Sequence, residues 1–223
     1  MPRCNSCSAP LPANSSLCGY CGTRNDMDFY GKPHYTIHQP ESPRICPHCS
    51  IPLQTINLDL KPGSNFLIER CAACFGLFFD PGEVEALLES TVSQVFEINY
   101  QQIASTNRER SPDNQKFQYI RCPVCRALMN RVNFGHQSGV IVDHCKTHGL
   151  WLDNGEITHL LEWRKAGGQL LDQEMKKAKA AEKEKKVLLS KTKKERRGES
   201  EFAKVDDTDL LNTLSSAVIK LFS

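Results

Sequence analysis

The apolar pattern of this chain changes period twice, in the same order each time. "LQTINLDL" (53–60) and "FLIERC" (66–71) are short runs rich in strand formers, joined by the Gly-containing turn "KPGSN". "LMNRVNF" (128–134) and "VIVDHC" (140–145) repeat the arrangement around "GHQSG". Each pair predicts an antiparallel hairpin. An apolar-aromatic-apolar triplet follows, "LFF" or "LWL", and the pattern then becomes helical. Val84, Leu87, Leu88, Val92, Val95, Phe96 and Ile103 predict one helix to about residue 104. Ile157, Leu160 and Leu161 predict a second, stopping near Gly167 and Gly168.

The junctions between strand and helix carry the same acids. Asp80 and Asp153 precede the helical patterns, with Glu83 and Glu156 three residues later. That spacing is a capping box, in which the first side chain accepts a first-turn N–H and the second reaches back. Pro81 stands at the first helical position, where its missing N–H is harmless. Catalysis by these acids is the lesser reading. Phe78 and Trp151 are expected to pack on the following helix and on the site formed by the cysteine pairs before them, and His48 and His136 to face solvent.

Beyond residue 168 the periodicity weakens. Residues 169–197 are rich in good helix formers, but the apolar spacing is poor beyond Leu171, Met175 and Ala178. A solvated charged helix is expected. The last stretch is amphipathic: Leu210, Leu214, Ala217 and Leu221 share one face, and Asp206, Asp207 or Thr208 can cap it. It either folds back on the body or docks on a partner groove.

Composition changes the picture because the apolar supply is thin and the cysteine supply is not. Only 8% of the 223 residues are aromatic, whereas eleven are cysteine. Small units with little core rely on metals or disulfides. The N-terminus "MPRCNSCSAPLP" lacks the apolar stretch of an export signal. No run approaches the ~20 apolar residues of a membrane span. A reducing, cytoplasmic setting is therefore expected, where paired cysteines bind metal.

The cysteines fall in pairs separated by two residues. Cys4/Cys7 is followed by Cys18/Cys21, and Cys46/Cys49 by Cys71/Cys74. Cys122/Cys125 is followed by Cys145 and His148. Two ligands at this spacing form a knuckle whose side chains converge on one ion, and two knuckles complete a tetrahedron. Gly22 and the proline in "CPHC" and "CPVC" favour the turn. Three complete sets predict three Zn2+ per chain, with iron as the chemical alternative. In the third set the ligand before Gly149 sits one residue closer than its counterpart before Gly76, so His144 stands as the alternative to His148.

"CPHCSIPL…IERCAACFGLFFDPGEVEALL" and "CPVCRALM…VDHCKTHGLWLDNGEITHLL" resemble the bacterial transcription-factor-type zinc-finger family, related to the zinc ribbon of transcription factor IIB. Residues 1–26, with "CNSC…CGYCG", resemble the short zinc ribbon at the front of many prokaryotic proteins. The resemblance implies small metal-stabilised α+β modules, three zinc-ribbon hairpins with two followed by capped helices, to which the composition beyond residue 168 adds a charged helical tail. The implied divisions are a ribbon (1–26), a linker (27–44), a first finger with its helix (45–104), a linker (105–119), a second finger (120–166), a charged segment (167–204) and an amphipathic helix (205–223).

A metal with four protein ligands keeps no position for substrate, so no enzymatic role or small-molecule substrate is expected. Net charge is +2, but residues 176–197 hold 11 Lys/Arg against three Glu. Three functional classes follow. The first is a scaffold or adaptor for a protein partner, in transcription or its regulation. The second is nucleic-acid binding through 176–197. The third is thiol redox or metal handling.

Overall fold

The computed structural model describes residues 3–11, 16–29, 35–60, 65–93, 95–109 and 118–202. The turn "KPGSN", much of the 105–119 linker and the helix expected at 205–223 lie outside them, wholly or in large part. Two units are present, Met1–Glu174 and Met175–Ser223.

Among the described residues, seven strands lie in the first unit: β1 (Tyr35–Gln39), β2 (Gln54–Leu58), β3 (Phe66–Arg70), β4 (Leu77–Phe79), β5 (Asn130–Asn133), β6 (Ile141–Cys145) and β7 (Gly149–Leu152). They form one sheet in the order β1-β2-β3-β4-β7-β6-β5, every pairing antiparallel. The two hairpin units are thus halves of one sheet. Their seam is the β4–β7 ladder, with Leu77 opposite Leu152, Phe78 opposite Trp151 and Phe79 opposite Leu150.

The sheet separates two cores, because side chains alternate across a strand. On one face Ile56, Ile68, Leu77, Val142 and Leu152 meet Val84, Leu87 and Leu88 of α1 (Glu83–Thr91) and Ile157 and Leu160 of α3 (Glu156–Lys165). On the other face Phe78 and Trp151 meet Cys46, Cys71, Cys74, Cys122 and Cys145. Phe78 and Trp151 therefore pack on the metal side and not on the helices.

Three expectations give way. The helix expected to reach residue 104 ends at Thr91; Val92 is extended, and a new helix α2 runs Tyr100–Glu109. The break carries the chain to the end of α3, where Asn99 N–H donates to the Ala166 carbonyl at 2.8 Å. Asn99 then caps α2 by accepting the Gln102 N–H at 3.0 Å. Phe96, assigned to an apolar helix face, is 80% exposed. The 105–119 linker accordingly begins inside α2.

The 27–44 linker supplies the edge strand β1, with Ile37 opposite Ile56. It is anchored by Arg70, which is buried, bonds Asp26 at 2.6 Å and lies 4.8–5.8 Å from the ring centres of Phe75, Tyr35 and Phe29. Such cation–π contacts gain strength where water is excluded.

The capping boxes are half formed. Glu83 accepts the Asp80 N–H at 2.8 Å, and Glu156 accepts that of Asp153 at 3.0 Å. Neither Asp side chain caps its helix. Gly82 and Gly155 occupy the N-cap in left-handed conformation, φ 89° and 94°, and turn the aspartates aside. Arg44 takes the Asp80 carboxylate through two bonds, at 2.9 and 3.0 Å. For α3 the cap comes from Asp28, which accepts the Gly155 N–H at 2.7 Å and the Thr158 N–H at 2.9 Å.

The remaining helix is α4 (Gly168–Phe202). Its first turn buries Leu171. Within the second unit, residues 176–190 are exposed, and Glu182 pairs with Lys186 at 2.6 Å, one helical turn apart.

Candidate metal centres

Five knuckles share one backbone circuit. The first cysteine donates its N–H to a carbonyl five residues on: Cys4 to Ala9, Cys18 to Thr23, Cys46 to Ile51, Cys71 to Gly76 and Cys122 to Ala127. Its own carbonyl accepts from the residue after the second cysteine. That residue must adopt a left-handed φ, and Ser8, Gly22, Ser50, Phe75 and Arg126 do so at 58–70°. The sequence flagged only Gly22 for this position; the other four are not glycine. In the sixth knuckle Gly149 follows His148 at φ 116°.

The circuit gathers three groups: Cys4, Cys7, Cys18 and Cys21; Cys46, Cys49, Cys71 and Cys74; and Cys122, Cys125, Cys145 and His148. Within each, all four donor atoms lie within 4.8 Å of one another. His148 Nδ1 is 3.5 Å from the Cys145 sulfur and 3.8 Å from that of Cys122. His144 lies outside the group, because neighbouring strand residues point to opposite faces.

Backbone N–H groups point at the sulfurs, as a thiolate cluster needs. Ser6 donates to Cys4, Cys49 to Cys46, Cys74 to Cys71 and Val124 to Cys122, all at 3.3–3.4 Å. Asn25 adds a side-chain donor to Cys4 at 3.7 Å and accepts the Asn5 N–H at 2.9 Å.

The electrostatics of crowded sulfur fit a divalent cation. Cys71 is pulled down to about 2 by bonds from Cys46 and Cys74. The same contact with Cys71 pushes Cys46 up to about 12. At Cys145 burial opposes ionisation, but the N–H groups of Thr147 and His148 and the imidazole outweigh it and bring the thiol to about 6. Crowding thus favours ionisation at some sulfurs and opposes it at their neighbours, and a dication removes that opposition. Each group can hold a zinc ion, giving three Zn2+ per chain.

His48 is exposed, as expected, and its ring also lies against this region. Its ring centre is 5.8 Å from that of Trp151, and Nε2 is 3.3 Å from Asp153 Oδ1. The same oxygen accepts the Trp151 Nε1–H at 3.0 Å. Asp153 is thereby tied to the knuckle of the second group. The sequence offers no local signal for this contact, which joins residues about a hundred positions apart.

Residues 45–90 match a family described as transcription factor zinc-finger. The match spans all four cysteines of the second group and most of α1. The further resemblances of 1–26 and 120–166 lie outside it. No curated protein and no solved structure matches the chain. Among the described residues no helix is long and apolar enough to cross a membrane.

Proposed function

We propose that this protein is a zinc-held interaction module that serves as a scaffold or adaptor for a protein partner in transcription or its regulation. The carrying observation is that each of three groups brings four protein donors within 4.8 Å. Zinc with four protein ligands is closed, and its contribution is to fix the knuckles; its binding energy is folding energy. The twelve residues Cys4 to His148 are then the ligands. The match at 45–90 supports the transcription context. We read 120–166 as a second, diverged finger, since its hairpin pairs in the same way and meets the first at equivalent strands. Residues 1–26 are read as a third unit, on the shared knuckle circuit.

The test is affinity capture with the zinc-loaded full chain, its chelated form and Cys71→Ser. The expected result is a protein of the transcription apparatus retained by the loaded chain and lost from the other two. Equal retention by all three forms overturns the reading.

A second reading concerns α4, where the lysines of 176–186 stand exposed. Electrostatic binding of nucleic acid there predicts affinity that falls steeply with salt and disappears on deleting 176–197. Binding that survives both assigns nucleic acid to another surface.

A further inference from the structure

We propose that the second and third metal groups bind zinc cooperatively as a pair, coupled through the β4–β7 seam, while the first group fills largely on its own. The proposal rests on the zinc reading above and goes beyond it.

Three contacts carry the coupling. The first is a reciprocal glycine approach. Gly76 follows Cys74 by two residues and lies so close to Trp151 that a Cβ would fall inside the indole. Gly149 follows His148 directly, and a Cβ there would strike the Phe79 carbonyl. The exit of each knuckle is thus pressed against the other half of the sheet. The second is the shared core: Cys46, Cys71 and Cys74 of one group and Cys122 and Cys145 of the other pack with Phe78 and Trp151 in one buried cluster. The third is the His48–Asp153 contact, which runs from inside the Cys46/Cys49 knuckle to the strand end five residues beyond His148.

A knuckle without its ion has no reason to hold one geometry. When the third group is empty, β7 loses the anchor at its first residue, and Trp151 loses its fixed place over Gly76. The second group must then bind metal and also order its neighbour, so it binds more weakly. The argument runs equally in the other direction. The first group sits in a separate small cluster of Cys4, Leu11 and Cys18. Its described links to the rest run through residues 25–28, none of them a ligand: Asn154 donates to the Asn25 carbonyl and accepts the Met27 N–H, Asp26 bonds Arg70, and Asp28 accepts from Gly155 and Thr158.

The test is anaerobic Co2+ titration of the metal-free full chain, with d–d absorption separating four-sulfur from three-sulfur-one-nitrogen sites and native mass spectrometry counting ions. In wild type, chains with one of the two inner sites filled should stay below the statistical fraction. His148→Ala should weaken metal binding at the Cys46 group about tenfold or more, and Cys49→Ser should weaken the third group by the same factor, as linkage requires. Binding at the Cys4 group should stay within twofold in both variants and so reports that the chain is competent. If either inner group keeps its affinity within twofold when the other is disabled, the coupling is refuted. Wild type that takes other than three ions overturns the zinc reading itself, and the proposal with it.

Discussion

Asp28 offers the sharpest test of how this fold is held. Its carboxylate is 2% exposed and closes the first turn of α3 from about 130 positions away. Hydrogen bonds to a charged group contribute roughly 1.5–3 kcal/mol each. Burial takes much of that back: desolvation, only partly offset by the Gly155 and Thr158 donors, raises the acid from 3.8 to about 6. That shift amounts to about 3 kcal/mol against the ionised form at neutral pH. Asp28→Ala removes both acceptors, leaves two buried N–H groups without partners and should lower stability by about 2–4 kcal/mol. Asp28→Asn keeps one acceptor and loses the buried charge, so it should stay within about 1 kcal/mol of wild type.

The pH dependence has a definite sign. The folded pKa lies above the unfolded one, so the folded state holds the proton more tightly. The contribution of Asp28 is largest below pH 3.8 and is lost as pH rises through 6. Relative to Asp28→Asn, wild type should therefore gain about 1.4 kcal/mol between pH 7.5 and pH 5. The assay is urea unfolding at fixed free zinc, followed by fluorescence of the buried Trp151 and Trp163. An alanine variant within about 0.5 kcal/mol of wild type, with unchanged slope, would refute the capping argument. A flat wild type–Asn difference across that range would refute the burial argument.

Elemental analysis should give three zinc per chain for wild type and a weakened third site for His148→Ala, whereas His144→Ala should leave all three intact. Gly149→Ala combines a left-handed φ with a backbone collision and should destabilise by at least about 2 kcal/mol in urea unfolding. Arg70→Ala takes the cation from the half-buried Asp26, which keeps the Asp28 and Phe29 N–H bonds, and should cost roughly 1.5–3 kcal/mol in urea unfolding, with Arg70→Met recovering part through packing on the three rings.

What the sequence discloses about this molecule is what is local in it. Ligand pairs two residues apart, strands joined by short turns and a Glu three residues after an Asp each fit within a dozen positions, and the structure gathers those ligands and forms those hairpins. Ser8, Ser50, Phe75 and Arg126 were illegible because side-chain identity there does not report the left-handed backbone that the knuckle circuit imposes. The contacts of Asp28, His48 and Trp163 were missed for another reason. Their partners, Gly155, Asp153 and the His136 carbonyl, are set by tertiary packing. The long helix predicted from Val84 to Ile103 failed because Val92 and Phe96 fit its period, while the pull of Asn99 toward Ala166 has no periodic trace.

The β4–β7 seam bears on where this protein can be divided. The recognisable stretch 45–90 ends inside a structure whose central strand is β4, so a sequence boundary falls where no folding boundary exists. A chain cut to 45–104 would present β4 as a naked edge with Phe78 uncovered. Its nearest substitute for the missing half is its own copy. Antiparallel pairing of two β4 strands would set Phe78 opposite Phe78 where the intact protein sets Phe78 opposite Trp151. The isolated fragment should therefore run as a homodimer or aggregate, with a second copy standing where the intact protein places β7.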